Sequence, residues 1–93
     1  MTYSLRFKAE ALKEWEKLGA TIREQFKKKL AERLEAPHVP ASRLHGSSDR
    51  YKVKLRASGY RLVYQVRDDE LVVVVIAVGK RERSAVYTKA ERR

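Results

Sequence analysis

Between Tyr51 and Val66 the chain reads YKVKLRASGYRLVYQV, with apolar and basic residues alternating almost without interruption. Side chains on a strand point to alternate faces, so Lys52, Lys54 and Arg56 share one face and Tyr51, Val53 and Leu55 the other. With a two-residue hairpin turn at Ser58-Gly59, residue 56 stands opposite 61, 54 opposite 63 and 52 opposite 65. Arg61 then joins the three cations, and Arg56 lies directly across from it, a like-charge pair that destabilises a sheet. Further on, GKRERSAVY places Lys80, Arg81 and Arg83 just past a run of apolar residues, with Tyr87 close behind. In a three-stranded meander the end of the last strand lies beside the start of the middle one, which brings Arg81 toward Arg61 and carries the Tyr87 ring to the same concavity. Converging cations with one aromatic ring can grip phosphate and stack a nucleobase.

Taken singly, each of these features has a plainer explanation. Alternating Lys and Arg form the wet face of a soluble sheet. Tyr87 can anchor a helix, and Trp15 is most simply a core residue. His38 and His45 are isolated in a loop, where a structural or idle role is the default. Lys27, Lys28 and Lys29 form either a solvated helical face or a contact for RNA or a partner. Other chemistries lack their residues. The chain contains no cysteine, and its two histidines and its acids show no metal-ligand spacing. A glycine-rich phosphate loop is also missing. Neither a metal nor another cofactor is expected.

The elements that must carry the cations follow from periodicity. Residues 3–7 alternate as a short strand. From 8 to 18 the period changes: Ala11, Leu12, Trp15 and Leu18 share a helical face, and Gly19 reads as the C-terminal cap. Thr21 and Glu24 read as a capping box for a second helix, whose buried stripe is Ile22, Phe26, Leu30 and Leu34 and which Pro37 ends. Residues 37–50 form a connector. Three strands follow at about 50–57, 60–67 and 70–79, with turns at Ser58-Gly59 and Asp68-Asp69, and residues 82–92 can form a last short helix. LVVVVIAV is apolar on both sides, so its strand is central and covered on both faces. The fold class is α+β: an antiparallel meander sheet of three C-terminal strands plus an N-terminal strand, packed against an N-terminal helical hairpin. At 93 residues one domain, 1–93, is expected.

The net charge of +10 demands an anionic partner. Residues 1–46 carry ten Lys and Arg against six Asp and Glu, and residues 47–93 twelve against six, so the body of the protein is basic rather than a tail. The apolar run from Leu71 to Val78 is far too short to span a bilayer. With no cysteine to oxidise, a reducing cytoplasm is the expected setting and a membrane is not an expected partner.

Three segments, ALKEWEKLG, YKVKLRASGYRLVYQV and VGKRERSAVY, occur in this order at these spacings, and through them the whole chain resembles the RelE family of bacterial toxins, the toxin halves of type II toxin–antitoxin pairs. The resemblance implies a ribosome-dependent, metal-independent endoribonuclease that enters the A site of the 70S ribosome and cuts the messenger RNA codon there. It maps the family's catalytic set onto Lys52, Lys54, Arg61, Arg81 and Tyr87. Arg56, His45, Lys80 and Arg83 are the expected further RNA contacts; His45 stands where the family pattern has an arginine. The resemblance also implies a cognate antitoxin, and operator DNA bound only through the antitoxin complex. The ParE toxins, which poison gyrase on the same fold, are the alternative reading.

Cleavage through the 2′-hydroxyl requires that hydroxyl to lose its proton, the phosphorane charge to be stabilised and the 5′-oxygen to gain a proton. A lysine crowded by cations gives up its proton more readily than a free amine near pKa about 10.4, so either Lys52 or Lys54 can act as base; Lys54 is assigned that role, with Lys52 as electrostatic support. Arg61 suits a bidentate grip on nonbridging oxygens. Arg81 is assigned to the leaving-group side, with water as the final proton donor, and Tyr87 to stacking on a base. The expected product is a 2′,3′-cyclic phosphate.

Overall fold

The computed structural model describes residues 2–80 and 85–93. The chain begins with strand β1 (Ser4–Phe7), then helices α1 (Ala9–Glu16) and α2 (Ala20–Glu35), a 3-10 turn at Pro40–Ser42, strands β2 (Arg50–Leu55), β3 (Tyr60–Arg67) and β4 (Val72–Lys80), and helix α3 (Ala85–Arg92). The four strands form one sheet in the order β1-β4-β3-β2. As expected, β2, β3 and β4 are an antiparallel meander. The N-terminal strand departs from an all-antiparallel sheet: β1 runs parallel to β4, with Ser4 beside Val72 and Phe7 beside Val75. A strand that reaches its sheet through a long helical crossover is free to pair in parallel, and β1 is followed by two helices before the chain re-enters at the far edge.

The valine run is the centre of the molecule. Every residue from Val72 to Val78 is buried. One face carries Val73, Val75 and Val78 into a core under α1 and α2; the other carries Val72, Val74, Ile76 and Ala77 under Val86 and Ala90 of α3. Ile76 and Ala77 share a face because β4 bulges there: Val63 pairs with Ala77 but Tyr64 with Val75. A bulge of this kind adds one residue and resets the alternation.

The helical stripes are mostly as read from the sequence. Ala11, Leu18, Phe26, Leu30 and Leu34 are buried, and the helices meet through Trp15, whose ring lies 5.2 Å from Phe7 and 6.2 Å from Phe26. Leu12 is the exception at 41% exposed. Both expected caps are corrected. Lys17 caps the end of α1, and Gly19, with extended backbone, is the N-cap of α2 without a side-chain bond. Helix α2 starts at Ala20, so Thr21 and Glu24 already lie inside it and cannot form the box.

Both hairpin turns are longer than two residues. Leu55 pairs with Tyr60 and Arg67 with Val72, leaving four-residue connections at 56–59 and 68–71. Each ends on a left-handed residue, Gly59 (φ 77°) and Leu71 (φ 54°). The left-handed residue carries the turn, and a leucine offers no signal for it.

Where β1 stops pairing at Val75, α1 and α3 take over the edge of β4. The Glu14 carboxylate accepts the Val78 N–H (3.1 Å), while Arg93 donates to the Ile76 carbonyl (2.9 Å) and to Glu14 (2.8 Å), and Lys89 also donates to Glu14. Burial alone would push the Glu14 carboxyl up, but the bonds from Arg93, Lys89 and Val78 together outweigh it and hold it below its ordinary 4.5. On the outer surface Asp68 accepts from Tyr3 (2.6 Å) and faces His38 (2.8 Å); these bonds, Tyr3 first, lower its pKa as well.

Two outcomes follow. Leu30→Ala, at a side chain 1% exposed, is expected to cost about 2–5 kcal/mol in urea unfolding, whereas Leu12→Ala stays within about 0.5 kcal/mol. A carboxylate with a depressed folded pKa stabilises the fold above its unfolded value and loses that contribution as pH falls through the folded one. The urea midpoint of the wild type is therefore expected to exceed that of Glu14→Gln above pH 4.5 and to converge on it as the solution is acidified below that value. A gap that persists unchanged at low pH would contradict the assignment.

Candidate active site

Strand β2 carries the cations and its neighbours fix them. Tyr51, Val53 and Leu55 are buried in the helical core, which forces Arg50, Lys52 and Lys54 to the opposite face. Backbone position at Lys52 is set by Arg33 of α2, whose guanidinium donates to the Lys52 carbonyl (3.3 Å), the Tyr64 hydroxyl (2.8 Å) and Ser42 (3.3 Å). Tyr64 in turn donates to the Pro37 carbonyl (2.7 Å) and stacks on Tyr51, with centroids 5.5 Å apart. Burial pushes the Tyr64 hydroxyl pKa up even with Arg33 beside it, so it remains a proton donor.

The observed register is displaced by two residues from the expected one: Lys54 faces Arg61 and Lys52 faces Val63. Arg56 lies in the turn, so the expected Arg56–Arg61 pair does not form; Lys54 and Arg61 are the like-charged partners. A shift of two keeps every side chain on its face, and Lys52, Lys54 and Arg61 still share one. Arg61 is the buried charged residue here, 8% exposed, with its guanidinium donating to the Tyr60 carbonyl (3.4 Å). On its other side it pairs with Gly79 of β4. Lys80, beyond Gly79, is exposed and lies 5.9 Å from the Tyr60 ring centroid. Arg81 and Arg83 lie outside the described residues.

Helix α3 and the loop before β2 close a cavity of about 470 Å³ over this face, lined by Leu44, His45, Gly46, Ser47, Arg50, Lys52, Tyr87, Ala90 and Glu91. Lys52, His45 and Tyr87, singled out separately in the sequence, thus meet in one space. A second hollow of about 590 Å³ continues from it past Arg43, again with His45 and Lys52 in its wall. The loop is pinned by the Leu44 N–H to the Arg50 carbonyl (2.9 Å), the Arg50 N–H to Ser47 (3.0 Å), and Gln65 to Asp49 (2.9 Å). The Tyr87 hydroxyl is buried with no hydrogen-bond partner among the described residues. Lys54 and Arg56 line a separate hollow of about 440 Å³ with Gln25, Lys28 and Lys29.

Two lining residues carry no separate signal in the sequence. Arg50 belongs to the same alternation as Lys52 and Lys54, and its guanidinium donates to the Ala90 carbonyl of α3. Among the described residues Glu91 is the one carboxylate in the two cavity walls; nothing in its local sequence distinguishes it. Among the described residues no cluster of His, Asp and Glu is placed to hold a metal. The arrangement offers anion binding at Arg50 and Lys52, an aromatic ring beside them, and a buried guanidinium with a lysine across from it on the same face.

Comparison with known proteins identifies the family. Residues 5–85 match the family model described as the ParE toxin of the type II toxin–antitoxin system parDE. The mRNA interferase toxin RelE of Escherichia coli K12 is 62% identical over 93 residues, covering 100% of this chain and 98% of that protein; the mRNA interferase RelE of Shigella flexneri matches equally. The free-state structure of the R81A/R83A mutant of E. coli RelE superposes with a TM-score of 0.91 at 60% identity, covering 99% of this chain and 97% of that one. RelE in the intact E. coli RelBE toxin–antitoxin complex gives 0.83 at 63% identity over 87% of this chain and 99% of that one. The chain belongs to the RelE toxins, within the ParE toxin family of type II toxin–antitoxin systems.

Proposed function

We propose that this toxin is an endoribonuclease that enters the A site of the translating ribosome and cuts messenger RNA by attack of a 2′-hydroxyl on the adjacent phosphorus. The observation that carries the reading is the meeting of Lys52 and Tyr87 in one cavity, on the sheet face that also carries the paired Lys54 and Arg61, in a chain 62% identical to a protein named an mRNA interferase. Lys54 takes the proton of the 2′-hydroxyl, and Lys52 supports the developing charge. Arg61, buried and therefore little screened, grips the nonbridging oxygens of the phosphorane. Arg81 stabilises the departing 5′-oxygen, which takes its proton from water. Tyr87 stacks on a base and holds the sugar in line. The products are a 2′,3′-cyclic phosphate and a 5′-hydroxyl end. A catalytic set of lysines, arginines and a tyrosine works chiefly by positioning, so free RNA is a poor substrate and the ribosome supplies the geometry.

The toxin acts in the cytoplasm. Its antitoxin covers the cationic face or displaces the C-terminal segment bearing Tyr87, and operator DNA is reached through the antitoxin. His45, in the wall of both cavities, Arg56, Lys80 and Arg83 contact RNA; so do Lys28 and Lys29, which with Lys54 and Arg56 surround a hollow with no carboxylate among its described lining residues.

Cleavage of messenger RNA on programmed ribosomes by the purified protein tests the reading. Arg61→Ala and Tyr87→Ala are each expected to slow single-turnover cleavage by about a hundredfold or more, with ribosome binding retained. Intact messenger RNA together with trapped gyrase–DNA complexes in expressing cells would favour the gyrase-poisoning alternative. Replacing Lys28 and Lys29 together by Ala is expected to weaken ribosome binding and flatten its salt dependence, lowering the slope by about one for each phosphate no longer neutralised, while the cleavage rate at saturation is kept. An unchanged salt slope would remove that surface from the interface.

A further inference from the structure

Helix α3 spans eight residues, too short to hold its own shape in water, and its buried side chains are just Val86 and Ala90. Leu44 and Tyr87 pack beside them, but two small buried side chains against a valine surface do not by themselves fix the rotation of the helix or its position along the sheet. The polar contacts do. On the β2 side Arg50 donates to the Ala90 carbonyl. On the β4 side Glu14, reaching across from α1, accepts from Lys89 at 2.5 Å and from both Arg93 nitrogens at 2.8 and 3.3 Å, while its own place is fixed by the Val78 N–H at 3.1 Å. The Glu14 side chain is 20% exposed and that of Arg93 15%, so this pair is shielded from the screening that makes surface pairs weak, while Lys89, 38% exposed, is the more solvated arm. Lys89 is two residues from Tyr87 and on the other side of the helix: it points to the open edge of β4 while Tyr87 points to the cavity. Gly79 permits the approach, since a Cβ there would sit 3.1 Å from Val86 and 3.4 Å from the Lys89 amine.

We propose that Glu14, which lies outside the cavity and touches no substrate, is a positioning residue for Tyr87: through Lys89 and Arg93 it sets the seat of α3 and so the place of the ring. This rests on the reading of Tyr87 as a base-stacking group. Glu14→Gln keeps the shape and removes the charge. It is expected to slow single-turnover cleavage on saturating programmed ribosomes by about tenfold with the half-saturating ribosome concentration unchanged. Lys89→Met, which keeps the packing, is expected to produce a smaller loss of the same kind and serves where Glu14→Gln folds poorly. Residues acting through one another give non-additive losses, so Glu14→Gln combined with Tyr87→Ala is expected to be no slower than Tyr87→Ala alone. Amide exchange in Glu14→Gln is expected to quicken in α3 and stay constant in β3.

Losses that multiply in the double variant would overturn the proposal, as would unaltered α3 exchange or an effect confined to half-saturation. Full activity in Tyr87→Ala would instead overturn the reading of Tyr87, and the exchange rates would then still decide whether Glu14 seats the helix.

Discussion

A strand buried on both faces must be covered twice, and that constraint on β4 organises the molecule. One cover is ample: α1 and α2 bring Phe26, Leu30 and Leu34 onto a broad apolar surface. The other is minimal. Helix α3 supplies Val86 and Ala90 over Val63, Val74, Ile76 and Ala77, with Leu44 and Tyr87 packed beside them, and among the described residues Arg50, Lys52, Lys54 and Arg61 take the rest of that sheet face, toward β2. The cavity exists because the second cover is too small to close the face it lies on.

That incompleteness also explains how so many like charges are tolerated. Arg61 lies among buried residues across from Lys54, an arrangement that raises the energy of the folded state. The large first core bears the burden of stability, so the second face is free to carry cations arranged for an anion. Strain of this sort, concentrated on one surface and offset elsewhere, is the pattern of a site built for a ligand. Among the described residues Glu91 is the single carboxylate of the cavity walls, so the walls are predominantly basic.

Much of this is legible in the sequence because strand alternation has a period of two, so an error of two residues in register leaves the face of each side chain intact. The sequence suggests a two-residue turn after β2 and the chain uses four, yet Lys52, Lys54 and Arg61 remain on one face because the shift is even. What changes is the partner of Arg61, which is Lys54 rather than Arg56. Local signals fail where geometry is set from afar. The parallel direction of β1 depends on a crossover through two helices. The left-handed backbone at Leu71 has no residue signature. Gly19 could end one helix or begin the next, and a link of three residues made it the start. Arg50 is within reach of sequence reasoning, one step back along the same alternation as Lys52 and Lys54.

The contact least visible in the sequence is the one between Glu14 and the C-terminal helix. Glu14 sits in an ordinary amphipathic helix and is separated by 75 residues from Lys89 and 79 from Arg93; no periodicity joins them. It becomes intelligible through the sheet edge. Strand β1 pairs only as far as Val75, leaving the Val78 N–H and the Ile76 carbonyl without a neighbouring strand, and an unpaired buried backbone group is costly. Glu14 satisfies the first and Arg93 the second, and the two side chains then lie close enough to pair. The same short first strand that exposes the edge of β4 thus creates the anchor for the helix bearing Tyr87, which links the length of β1 to the shape of the cavity on the other side of the sheet.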